Sequence, residues 1–370
     1  MAQPLDVCIR GGGIVGRSLA LLLARERLRV GLVQAPPAPA SGPDVRAYAL
    51  NHASRTLLEA LRCWPEEYAA TPVRRMEIMG DAKGALHFDA ATTGAPALTW
   101  IVDVPALEAQ LDAAVGYQPL IERLSAPAPA ALTVVCEGRA SRTRTEFGVE
   151  FDITPYPQHA LAARVRCARP HQATARQWFA GHDILALLPL DGAAGHTVAL
   201  VWSVPPEKAA RLLQASADDF CRELEAASHH ALGTLELVSE RAAWPLQKAQ
   251  ARHWVGQQAG GTWALAGDAA HNVHPLAGQG LNLGLADVAE LARLLHERPT
   301  WRSVGDLRLL RRYERARKAN MLLLDAGMDG LQLLFGRPEP LWQSLRNTGL
   351  NLIERSGALK LWLAQRAMGR

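Results

Sequence analysis

The sequence predicts a mixed α/β (α+β) chain in which a parallel, helix-covered unit is interleaved with an antiparallel sheet and followed by C-terminal helices. Three observations carry that expectation. The N-terminus runs strand, glycine turn, helix, strand; the middle holds segments of alternating apolar residues; and a second glycine-rich strand-to-helix connection lies near residue 267. At 370 residues the chain is long enough for two domains. Its composition, 49% hydrophobic and 21% charged, excludes disorder, collagen and a charge-rich coiled coil.

The first strand is expected at 7–9, the turn at Gly11-Gly12-Gly13-Ile14-Val15-Gly16, the helix at 14–27 and the second strand at 30–34. In that order GxGxxG reads as a Rossmann-like unit for FAD or NAD(P). Gly11 permits the tight turn, Gly13 lets backbone approach a pyrophosphate, and Gly16 lets helix and strand pack closely. The helix opens at Ile14 and Val15, whose free N–H groups and dipole suit phosphate. A tight turn without a ligand is the alternative.

Residues 35–43 are a loop by composition, and 44–61 a linker into a helix. Met76 and Ile78, then Leu86 and Phe88, predict a hairpin over 73–89 that turns at 81–84. A helix is expected over 104–111, a Pro/Ala stretch without periodicity over 126–131, and a buried strand over 132–136. Leu161, Ala163, Val165 and Cys167, like Val198, Leu200, Trp202 and Val204, alternate with other residues, predicting antiparallel strands with one buried face. One helix over about 206–228 and a strand at 244–246 follow. Trp178, Trp202, Trp244, Trp254 and Trp263 fit either a core or the lining of an apolar cavity.

The segment from Trp263 to Gly284 carries the chemistry. A strand ends at Ala266, and Gly267-Asp268 sets a carboxylate at its carboxyl end, where α/β proteins bind ligands and where sugar-like hydroxyls can be held. Pro275 stiffens a loop, Gly278 and Gly280 admit a flat ligand, and a helix starts near Leu281. Two helix N-termini at one site suit a ligand with a pyrophosphate at one end and a group able to become anionic at the other. FAD has that shape. His271 and His274 form an HxxH without the intervening Glu of a zinc helix, so no metal is expected. The five cysteines (Cys8, Cys63, Cys136, Cys167, Cys221) are scattered and odd in number, which points to a reducing compartment.

The glycine fingerprint at 11–16, Gly267-Asp268 and the stretch His274-Pro275-Leu276-Ala277-Gly278-Gln279-Gly280-Leu281-Asn282-Leu283-Gly284 resemble the FAD-dependent aromatic hydroxylases of the para-hydroxybenzoate hydroxylase fold. More narrowly, Arg46-Ala47-Tyr48-Ala49-Leu50, the block from Arg311 to Asn320 and the tail from Leu345 to Asn351 resemble the ubiquinone-biosynthesis hydroxylase family. The resemblance implies an FAD-dependent monooxygenase. It would hydroxylate an aromatic, polyprenylated phenol through a flavin hydroperoxide, with O2 and with NAD(P)H or another reductant. It places Gly11, Gly13, Gly16 and Arg46 on the cofactor, Asp268 at the ribityl or pyrophosphate region, Pro275 beside the reactive flavin carbon with Gly280 in the same loop, and the N–H groups of Leu281 and Asn282 at the pyrimidine edge. The implied domains are an FAD-binding part (1–72, 99–150, 254–330), a substrate part (73–98, 151–253) and a helical tail (331–370).

Three departures stand out. Gln34 ends the second strand where a carboxylate for the ribose is expected and can still bond a hydroxyl; Glu137-Gly138 replaces the family's Asp-Gly, which lies against the flavin and the nicotinamide donor, so the resemblance carries Glu137 over as a cofactor-binding residue; and only about twenty residues separate Leu111 from the strand at 132. Arg10 is also unusual at an apolar strand position. Two other readings remain: a scaffold in a biosynthetic complex that binds FAD poorly, and a flavin reductase or dehydrogenase. With no leader-like segment, the expected location is cytoplasmic. Residues 341–370 hold five basic residues against Glu354 alone, an excess equal to the +4 of the whole chain. That excess predicts either contact with the inner face of a membrane or packing on the body, and not nucleic-acid binding.

Overall fold

The computed structural model describes residues 4–34, 44–80, 84–258, 260–272, 280–335 and 356. The chain opens with β1 (Leu5–Arg10), α1 (Ile14–Arg25) and β2 (Val30–Val33), then β3 (Ala47–Leu50) and α2 (His52–Ala60). Next come β4 (Ala70–Val73), the hairpin β5 (Arg75–Met79) and β6 (Ala85–Asp89), β7 (Thr99–Asp103), α3 (Val104–Gly116), β8 (Ile121–Leu124), β9 (Ala130–Val135) and the short α4 (Arg142–Glu146). The long β10 (Phe151–Cys167) leads into β11 (Thr174–Ala180), β12 (Asp183–Pro189), β13 (Thr197–Val204), α5 (Pro206–Gln214), α6 (Ala217–Ala227), β14 (Leu235–Leu237) and β15 (Ala242–Ala251). The chain ends through β16 (Val255–Gln258), β17 (Gly261–Leu265), β18 (His271–Asn272), α7 (Gly280–His296) and α8 (Leu307–Phe335).

The first sheet has the order β16-β17-β9-β1-β2-β8, and every pair except β16–β17 is parallel. Val7, Cys8 and Ile9 are fully buried in succession, as a strand covered on both faces requires. The stretch between α3 and 132, without readable periodicity, contributes β8, which pairs β2 from Val30↔Ile121 to Val33↔Leu124. Its apolar signal is two residues long, too short to show as a pattern.

The second sheet runs β18-β15-β10-β13-β12-β11-β5-β6, with β14 beside β10. All its pairs are antiparallel except β11–β5. The alternating set Leu161, Ala163, Val165, Val198, Leu200 and Trp202 packs on Leu212, Phe220 and Leu224 of α5 and α6. The opposite face is buried too, at Ala160, Ala162, Ala199 and Ser203, which corrects the expectation of one buried face. The reason is a third sheet, β3-β7-β4: Ala199, Ala175 and Leu190 pack on Val73 and Ile101. The expected single helix at 206–228 is two, because Ala215 is extended and Ser216 accepts from Asp219 N–H to start α6 anew. Four of the tryptophans, 178, 202, 254 and 263, are core residues.

Arg164 ties the second sheet to β3 and α3. It pairs with Asp103 (2.5 Å), the residue whose carboxylate also caps α3 by accepting from Ala106 N–H (3.0 Å). The end of β17 and the first turns of α1 and α7 meet around Val15, and the first turn of α7 lies against β3.

Candidate functional site

The glycine turn is tight by necessity. Gly11 adopts φ +118°, and a Cβ there would stand 2.3 Å from the Cys136 carbonyl oxygen. A Cβ on Gly16 would stand 1.9 Å from Gly11 O, so α1 packs on the turn itself. Gly13 differs: its φ of −78° suits any residue, and a Cβ would meet nothing within 4 Å. As the N-cap of α1 it offers no side-chain acceptor, and the first turn, with Ile14 and Val15, holds no acid. The helix therefore presents first-turn N–H groups that no described side chain caps, the arrangement that binds an anion.

Gln34 folds over this turn, close enough that a Cβ on Gly12 would lie 2.6 Å from its Cγ. Its Oε1 accepts from Arg123 Nη1 (3.3 Å), which also donates to Asp112 (2.9 Å); Arg17 pairs with Asp112 at 3.2 Å. Hydrogen bonding from Arg123 first, and the charges of Arg17 and Arg123, hold the Asp112 carboxyl below its ordinary value, with a small contribution from Gln34. Gln34 Nε2 is buried and makes no hydrogen bond of ordinary geometry. It faces the Asp112 carboxylate, and a buried amide at the end of β2 that makes no regular hydrogen bond fits a ribose hydroxyl.

The second glycine segment meets the first through one side chain. Gly267, at φ +63°, turns the chain after β17 into a short helical turn, and its Cβ would lie 3.3 Å from Val15 Cγ2. A Cβ on Gly284 of α7 would lie 2.8 Å from the same atom and 3.3 Å from Gly267 Cα. Glycine at both positions lets α1, the end of β17 and α7 close around Val15. Gly280 is the first residue of α7, where a Cβ would meet no described residue within 4 Å, and Leu281 packs against the main core. Pro275 and Gly278 lie outside the described residues, as do His274 and the tail 341–370, apart from Ser356.

Asn282 has a different role for its side chain than for its N–H. Its Oδ1 accepts from Asn51 N–H (2.9 Å) and Ser54 Oγ (2.7 Å), and its Nδ2 donates to Ala49 O (2.8 Å), bolting α7 to the β3–α2 corner. Asp268 sits next to Gly267. Burial pushes its carboxyl up, opposed by the charges of His271, Arg139 and Arg46. Arg46 forms a two-pronged pair with Asp44 (2.9 and 2.6 Å) and stays about half exposed. Arg139 and Tyr48 were not singled out from sequence. Burial raises the Tyr48 hydroxyl, and the Asp268 charge adds to the rise. The signal for Arg139 is its place directly after Glu137-Gly138.

Two departures prove to be one. Glu137 accepts from Ser141 Oγ (2.8 Å), Thr143 N–H (3.0 Å) and Thr143 Oγ1, and pairs with Arg10 Nε at 3.4 Å. Burial alone would raise this carboxyl; the Thr143 and Ser141 hydrogen bonds and the Arg10 charge bring it below its ordinary value. Arg10, which also reaches Glu146 (3.2 Å), matches the longer carboxylate of Glu137, and together they fix the turn into α4.

A helix N-terminus at Gly13, the Gln34 amide at the end of β2, and a half-buried Asp268 carboxylate that feels the charges of Arg46 and Arg139 fit the pyrophosphate, ribose and hydroxyl groups of FAD. Residues 126–322 match the family described as FAD binding domain. The chain is 31% identical to the 3-demethoxyubiquinol 3-hydroxylase of Escherichia coli, covering 99% of both chains. It is 30% identical to the ubiquinone hydroxylase UbiL of Rhodospirillum rubrum, over 98% of this chain and 89% of that one. The p-nitrophenol 4-monooxygenase PnpA of Pseudomonas putida shares the fold, with TM-score 0.76, 16% identity and coverage of 100% and 99%. The chain belongs to the ubiquinone-biosynthesis hydroxylase family of FAD-dependent monooxygenases.

Proposed function

We propose that this enzyme hydroxylates the phenolic ring of a polyprenylated ubiquinone precursor, taking electrons from NAD(P)H. The observation that carries the reading is the meeting of α1 and α7 through Val15, Gly267 and Gly284, with the Gly13 face left open. FAD, when bound and reduced, supplies the O2-activating chemistry by which one oxygen atom reaches the ring. The protein's part is to hold and orient. The first-turn N–H groups at Ile14 and Val15 bind the pyrophosphate, Gln34 Nε2 donates to a ribose hydroxyl, and Asp268, with Arg46 near, accepts from the hydroxyls that follow. The start of α7, with the N–H groups of Leu281 and Asn282, favours negative charge at the pyrimidine edge. Gly280 opens α7 beside the ring, and Pro275 and Gly278, which the family resemblance sets beside the flavin, lie outside the described residues. Glu137 and Arg10 shape the neighbouring turn from within the protein.

The second sheet then serves as the substrate part, and 1–72, 99–150 and 254–330 as the FAD part. Among the described residues no helix is long and apolar enough to cross a membrane. A polyprenyl substrate resides in a bilayer, so the basic, leucine-containing tail 341–370 is assigned to its surface. The direct test is expression in a strain that accumulates ubiquinone precursors, followed by mass analysis of its lipids. Gain of one oxygen on the precursor ring supports the reading. Unchanged precursor, from a protein that carries FAD, sinks the substrate assignment.

A further inference from the structure

Behind the Gly267–Asp268 turn lies a buried polar hub outside the cradle described above. Asp287 of α7 is fully buried, and its carboxylate accepts from three segments at once: Gly267 N–H (2.8 Å), His271 Nε2–H (2.6 Å) and Arg317 Nε–H of α8 (2.7 Å). His271 is stacked on Trp254, with ring centres 4.9 Å apart at 22°. Arg317 also donates through Nη2 to Leu283 O (3.2 Å), a carbonyl at the start of α7. Burial would raise the Asp287 carboxyl, but His271 and Arg317 outweigh it and hold it below its ordinary value. An ion pair this deep is a poor source of stability, since apolar residues of like volume serve as well or better. What the carboxylate does supply is geometry. It fixes the N–H of a residue in the left-handed region, one position before Asp268, from the helix whose first turn faces the same site.

We propose that Asp287 is a positioning residue for the flavin. By holding Gly267 N–H it sets the direction of the Asp268 carboxylate and locks it in one unit with the start of α7. His271 and Arg317 keep Asp287 ionised and oriented. This rests on the FAD reading above.

The test titrates FAD into apoprotein, following flavin fluorescence, for wild type, Asp287→Asn and the double variant Asp287→Leu/Arg317→Leu. The double variant removes the buried carboxylate together with the Arg317 cation, leaves His271 as a neutral imidazole stacked on Trp254, and is expected to unfold cooperatively. Its Kd for FAD rises at least tenfold although it is folded, which a purely structural role would not produce. In Asp287→Asn the uncompensated Arg317 cation raises the midpoint potential of bound flavin, by favouring the more negative reduced form. A folded double variant with Kd within twofold of wild type overturns the proposal. If the double variant does not fold, Asp287→Asn decides: Kd within twofold and an unshifted potential overturn it equally. Failure of wild type itself to bind FAD would instead remove the cofactor reading.

Discussion

Gly13 is where the needs of the protein and of its ligand separate. Gly16 is required by packing, since a Cβ would stand 1.9 Å from Gly11 O, whereas no described residue contests the space at Gly13. Gly13→Ala should therefore leave the thermal stability of the FAD-free protein within about 0.5 kcal/mol of wild type while weakening FAD binding at least tenfold. Gly16→Ala should cost about 1–3 kcal/mol before any ligand is added. Thermal melts and FAD titrations of both apoproteins check this, and equal losses at the two sites would contradict it. The fingerprint glycines were legible from their spacing: Gly11 and Gly16 answer local demands of the turn, and Gly13 answers the ligand's. Asp287 and Arg317 were not, although a signal existed. Each is a charge on an apolar helical stripe, Asp287 with Leu283, Leu291 and Leu294, and Arg317 with Leu310, Tyr313 and Met321. A charge on such a stripe must find a buried partner, and the partner is across the fold, not along the chain.

Among elements, α1 and α7 do most to shape the site, and they are tied at both ends. At their starts Val15 packs against Gly267 and Gly284. At their far ends His296, in the last turn of α7, pairs with Glu26, the C-cap of α1, at 2.5 Å. The hydrogen bond to Glu26, and then its charge, raise the His296 pKa above the ordinary 6.5. A group raised on folding stabilises most below its unfolded pKa and loses that contribution as pH rises through the folded value. His296→Gln should thus lower the melting temperature at pH 5.5–6 and leave it unchanged at pH 9. A pH-independent difference would contradict the pairing. Elements with long periodic signals, such as α1, β10 and β13, were readable from sequence. The break at Ala215–Ser216 was not, because Ser216 reads equally well inside a helix and as the cap that starts a new one.

At the scale of the molecule, sequence separated the parallel and antiparallel regions but did not show that β3-β7-β4 forms a sheet of its own. Those strands are four or five residues long and come from three distant segments, so only tertiary pairing reveals them. That third sheet is why the second is buried on both faces. All five cysteines are buried, in the cores of the first and second sheets. Burial raises each thiol, Cys167 to about 12, so thiolate is scarce near neutral pH. The native protein should show no rapidly reacting thiol toward a charged disulfide reagent and five after denaturation; a fast native equivalent would mean that a core segment opens. The central claim, that this fold holds FAD in order to place an oxygen atom on an aromatic ring, is tested most directly by isotope. Purified, yellow, FAD-loaded enzyme is supplied with NAD(P)H, a polyprenylphenol precursor and 18O-labelled O2, and the product is weighed by mass spectrometry. One labelled oxygen in the ring is the predicted result. Reductant consumption with no label in any product would contradict the account and leave a flavin reductase in its place.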